Sequence, residues 1–81
     1  MPRLKTSSIK SFDKYRLGEN LRLIRSQKGF TQIDLAVKLK ISQNAYSKIE
    51  LGQTQFTIEM LMIISELLEV DVGELVIALL S

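Results

Sequence analysis

The sequence predicts an all-α fold of five short helices, and three observations lead to it. Apolar residues recur every three or four positions through most of the chain, the spacing of one helix face. Ser, Thr or Asp stands ahead of each apolar run and Gly closes two of them, the start and stop signals of helices. The joins between runs are two to five residues long, no stretch alternates as a strand would, and no segment repeats. With 81 residues, 46% of them hydrophobic, the chain suffices for one compact domain with a small core.

Residues 1–11 are basic, polar and Ser-rich, with the only proline at Pro2. They are read as a flexible arm, and the domain proper is expected over 12–81. The first helix is predicted from Phe12 to Lys28, capped by Ser11 or Asp13, with Leu17, Leu21 and Ile24 forming its apolar stripe. Gly29 stops it as a C-cap glycine does. Gly18, inside this helix, is either a weak point or a place where another backbone comes close. Thr31 caps a short second helix, Gln32 to Leu39, whose Leu35, Ala36 and Leu39 face inward. Lys40-Ile41 leaves room only for a sharp turn. Ser42 caps a third helix, Gln43 to Leu51, with Tyr46 and Ile49 inward and Gly52 ending it. After the loop Gln53 to Phe56, Thr57 caps a fourth helix, Ile58 to Leu68, with Leu61, Ile64 and Leu68 inward. Asp71, with Glu74 three residues on, is a capping-box-like start for a fifth helix, Val72 to Leu80, which is almost wholly apolar on one side.

Composition removes several kinds of chemistry. The chain has no Cys and no His, which excludes thiol chemistry, disulfides, the usual zinc ligands and every His-dependent triad. No cluster of carboxylates suggests acid–base work. The chain is therefore read as a non-enzyme without cofactor or metal. No run of 18 apolar residues marks a membrane span, and the first 12 residues lack the apolar segment of a signal peptide, so a cytoplasmic protein is expected. The net charge of +2 hides a polarity. Residues 1–48 hold all 11 bases against three acids, +8 in sum, and residues 49–81 hold six acids and no base, −6 in sum. Such asymmetry suits a basic face turned to a polyanion and an acidic end turned away.

The second and third helices carry the functional argument. Ala36 is small where two helices must cross closely, Ile41 plugs the turn into the core, and Tyr46 with Ile49 anchors the third helix by one face. That leaves Gln43, Asn44, Ser47 and Lys48 on the opposite face, all polar and able to hydrogen-bond. A helix with such a face fits a DNA major groove about 12 Å wide.

In order and spacing, Leu21-Arg22…Ile24-Arg25…Gly29-Phe30-Thr31-Gln32, Leu35-Ala36, Ile41-Ser42, Ile49-Glu50…Gly52 and Leu61…Leu68…Leu75 resemble the lambda-repressor-like helix-turn-helix domain of the Cro/XRE family. The resemblance runs from Leu17 to Val76. It implies a sequence-specific regulator of transcription that binds double-stranded DNA. Gln43 and Asn44 open its reading helix and bond adenine, Lys48 reaches guanine or phosphate, and Ser47 adds a weaker contact. Thr31, Gln32 and Ser42 would meet phosphates at helix N-termini, with Gln32 also bracing Gln43. Arg25 and Glu50 stand where the family has an ion pair joining the first and third helices. Three departures are visible. Lys40 replaces the usual turn glycine, Glu69 replaces a glycine after the fourth helix, and the loop Gln53-Thr54-Gln55-Phe56 lacks the bases that relatives use on phosphate. Arg3, Lys5, Lys10, Lys14 and Arg16 are candidates to supply that charge.

The apolar side of the fifth helix (Val72, Leu75, Val76, Leu79 and Leu80), with Ile63, Leu67 and Met60 of the fourth, exceeds what one small core needs. It is expected to form a homodimer interface that sets two reading helices about 34 Å apart. The function expected is a dimeric repressor, or a controller of the restriction–modification type. The alternative is an antitoxin-like module that holds a small partner protein through the same apolar helix.

Overall fold

A computed structural model describes residues 14–81 of the chain; the arm over 1–11 and the cap at Ser11 or Asp13 lie outside them. The described residues form five helices and no strand: α1 (Lys14–Gln27), α2 (Gln32–Leu39), α3 (Gln43–Glu50), α4 (Ile58–Leu68) and α5 (Val72–Leu79). α1 packs on both α3 and α5, α2 packs on α3 and α4, and α4 packs on α5. The core between them consists of Leu17, Leu21, Leu35, Ala36, Tyr46, Ile49, Ile64, Leu68, Leu75 and Leu79. Ile24, Leu39, Ile41 and Leu61 are partly buried against it.

Each helix from α2 on starts at a side-chain cap that satisfies N–H groups with no partner inside the helix. The Ser42 hydroxyl accepts from Ala45 N–H at 3.0 Å and the Thr57 hydroxyl from Met60 N–H at 3.1 Å. The Asp71 carboxylate accepts from the N–H groups of Gly73 and Glu74. At α2 the bond is reciprocal. Thr31 accepts from Asp34 N–H and the Asp34 carboxylate accepts from Thr31 N–H at 2.8 Å, a capping box closed by Asp.

The first four helices end alike. In each, a residue one or two positions past the helix is left-handed, its N–H bonds back three residues, and the next N–H bonds back five, the Schellman pattern. That residue is Gly29 after α1, Lys40 after α2, Gly52 after α3 and Glu69 after α4, with φ of 85°, 61°, 75° and 57°. The bond from Ile41 N–H to the Ala36 carbonyl, 3.0 Å, turns Ile41 back onto the core and makes the corner between α2 and α3. Lys40 and Glu69 thus hold backbone that costs a non-glycine residue about 1–2 kcal/mol.

Gly18 is a site of close approach. A Cβ at this position would stand 2.7 Å from the carbonyl carbon of Glu50 and 2.9 Å from the carbonyl oxygen of Ile49. The glycine lets the end of α3 lie directly on the backbone of α1.

Candidate DNA-binding surface

α3 is fixed from one side. Tyr46 is 0% exposed and Ile49 is equally buried in the core. The helical period then puts Gln43, Asn44, Ser47 and Lys48 on the other side. Gln43, Asn44 and Lys48 are exposed and Ser47 is half-buried. No element among the described residues covers this face.

Beneath α3 lies a polar brace. Arg25 of α1 donates from Nε to Glu50 Oε2 at 2.6 Å and from Nη2 to Oε1 at 3.3 Å. Its Nη1 donates to the Phe30 carbonyl at 2.8 Å, which ties the α1–α2 loop into the same group. Gln32 Nε2 donates to Glu50 Oε1 at 3.0 Å. One carboxylate near the end of α3 therefore gathers α1, the start of α2 and α3. Burial alone would raise the Glu50 pKa. The hydrogen bonds from Arg25 and Gln32, with the Tyr46 hydroxyl close by, more than offset this, so the carboxyl sits below the ordinary carboxylate range. The same bond to Glu50 holds Arg25 protonated beyond its ordinary range against burial. The Tyr46 hydroxyl lies buried beside this group without a hydrogen bond of good geometry among the described residues. Burial first, and then the Glu50 charge, pushes its ionisation well above the usual phenol range.

The side-chain amide of Gln32 is thus turned to Glu50 rather than to Gln43 as a brace. A buried carboxylate is a stronger acceptor than a neutral amide. Sequence reasoning also missed the roles of the Phe30 carbonyl and of Asp34. The Thr-x-x-Asp spacing was the available signal for Asp34. Among the cations considered for phosphate, Arg3, Lys5 and Lys10 lie outside the described residues. Arg16 donates to the Ser81 carbonyl at 3.0 Å and so is engaged at the end of the chain.

The apolar side of α5 divides. Leu75 is 0% and Leu79 2% exposed, so these two complete the core of a single chain and are not available to a second one. Their positions, four residues apart, face α1 and α4. Val72, Val76 and Leu80 run along the next stripe, where Val72 and Leu80 are exposed and Val76 half-buried. Ile77, further round the helix, is 72% exposed. Met62 on α4 is also exposed. Among the described residues no group of three acidic, His or Cys side chains forms a metal site, and no helix is long and apolar enough to cross a membrane.

The sequence model of a helix-turn-helix family matches residues 21–75. Among solved structures, the clp gene regulator ClgR from C. glutamicum is similar to this chain. It is 29% identical, the match covers 82% of this chain and 86% of that one, and the TM-score is 0.72. No curated protein matches the sequence. These likenesses favour the regulator over a module that holds a toxin. The family match spans well over half of the chain, from the core of α1 to the core of α5, and the chain accordingly belongs to the Cro/C1-type helix-turn-helix family of DNA-binding transcriptional regulators.

Proposed function

We infer that the chain binds sequence-specifically in the DNA major groove through the outer face of α3, with Gln43 and Asn44 on adenine edges, Lys48 on guanine or phosphate, and Ser47 in a weaker contact. The observation that carries this reading is the division of α3 into a buried apolar side and an open, hydrogen-bonding side. Thr31, Gln32 and Ser42 border that face as phosphate contacts. The hydroxyls of Thr31 and Ser42 act as acceptors in their caps, which leaves each O–H free to donate to a phosphate oxygen. Gln32 Nε2 has a second proton beyond the one given to Glu50.

The acting form is a homodimer that represses its own or a neighbouring promoter. Exposed Val72 and Leu80 with half-buried Val76 support this, joined by Ile77, because among the described residues nothing fully covers this apolar stripe, on a helix whose core residues are already accounted for. Selection of binding sites from random duplexes tests both parts. The expected result is a two-fold symmetric site with half-sites about 34 Å apart. Gln43→Ala should lose roughly 1–3 kcal/mol of discrimination at one base pair and keep its affinity for random duplex. Equal affinity of the wild type for every sequence would remove the reading.

A further inference from the structure

We propose that Arg22 on the outer side of α1 is a phosphate anchor that sets the register of α3 in the groove. The proposal rests on the reading of α3 given above and adds a contact to it. Three arginines on α1 lie within the described residues. Arg16 is bonded to the Ser81 carbonyl and Arg25 to Glu50 and the Phe30 carbonyl. Arg22 is exposed and has no partner among the described residues. It lines an open groove together with Gln32 at the start of α2 and with Ser47 and Leu51 at the far end of α3. Glu19, one turn back on α1, lines the groove as well, without an ion pair to Arg22.

This groove runs beside the reading face. A helix lying in the major groove is flanked by the two sugar–phosphate strands. On the side of the loop after α3, residues 53–56 offer no base. On the α1 side, the Ser47–Leu51 flank of α3 opens onto a guanidinium without a partner among the described residues, and the first N–H groups of α2 have no carbonyl partner within their helix. A guanidinium matches a phosphate with two parallel hydrogen bonds. Arg22 therefore supplies on α1 the cation that the loop lacks, and it fixes how far α3 can turn about its axis relative to the bases. The brace of Arg25 and Glu50 holds α1 and α3 rigidly together, so an anchor on one helix positions the other.

The test measures affinity against salt for Arg22→Gln, Arg22→Lys and Lys38→Ala. Lys38 is an exposed base on α2 that lines a different groove, with Lys40 and Thr57. Arg22→Gln is expected to weaken binding to the selected site and to random duplex alike, about tenfold. It should also flatten the slope of log affinity on log salt by about 1. Arg22→Lys should recover the slope, and Lys38→Ala should leave it near the wild type. Neutral methylphosphonate placed at single positions should reveal one phosphate per half-site whose loss costs the wild type and not Arg22→Gln. Arg22→Gln behaving like Lys38→Ala overturns the anchor while leaving α3 as the reader, as does a loss confined to one base sequence. A wild type that binds DNA without salt dependence, or does not bind it, overturns both.

Discussion

α3 and α5 are both eight-residue helices held by two fully buried apolar side chains, Tyr46 with Ile49 and Leu75 with Leu79. Their outward sides are opposite in kind. α3 shows water an array of amide, hydroxyl and ammonium groups, and α5 shows it Val72, Ile77 and Leu80. The undersides differ as well. α3 rests on a charged group shared by three elements, whereas among the described residues the side-chain hydrogen bond from α1 to α5 is made at the helix end, where Asn20 donates to the Leu79 carbonyl at 3.1 Å. The helix proposed to read DNA, for which orientation has to be exact, is held by directional bonds. The helix whose outer face needs only apolar cover is held mainly by packing, which has no preferred direction.

The comparison can be broken most severely at Glu50. Glu50→Ala strands the Arg25 guanidinium beside a buried phenol, and unfolding in denaturant should show a loss of about 3–5 kcal/mol. Gly18→Ala drives a methyl group into the backbone of α3. It should cost about 1–3 kcal/mol and weaken DNA binding beyond the loss of folded chain, since α3 must shift. Acid offers a graded version of the first change. The Glu50 carboxyl is held below its ordinary value of 4.5, so the unfolded chain takes up its proton first. The brace is fully present above that ordinary value and is lost as pH falls through the lower folded value. Thermal melts should therefore fall with acidification in the wild type and less steeply in Glu50→Gln.

Smaller effects sharpen the comparison. Lys40→Gly and Glu69→Gly relieve left-handed backbone and should each raise stability by about 0.5–1 kcal/mol. Equal or lower stability would mean that the side chain at that corner has a compensating role. The smallest effect on the folded chain is expected on the apolar side of α5. Ile77→Ser should change unfolding by no more than about 0.5 kcal/mol, while sedimentation should show the pairing of chains shifted to higher concentration.

Much of the fold was legible because local chemistry and long-range packing agree in this chain. Thr31, Ser42, Thr57 and Asp71 begin helices where their side chains can reach back to the backbone, and Gly29 and Gly52 end them where φ must be positive. Gly18 left open a weak point or a close approach, because the choice depends on how α1 and α3 cross, which no local pattern encodes. On α5 the sequence shows five apolar residues on one side. Separating Leu75 and Leu79 from Val72, Val76 and Leu80 needs the angle at which α5 meets α1 and α4. For Gln32, the sequence reading offered Gln43 and did not foresee Glu50. The depth of the Glu50 carboxylate makes it the acceptor, and burial is a property of the whole fold.

α1 carries α3 on one flank and α5 on another, with Gly18 in contact with the first and Asn20 bonded to the second. Among the described residues no linker or hinge intervenes between the proposed reading face of α3 and the stripe on α5. Two copies joined along that stripe would act as a rigid caliper. One extra base pair between the half-sites rotates the second of them by roughly 35°, and the described residues hold no soft joint with which to follow it.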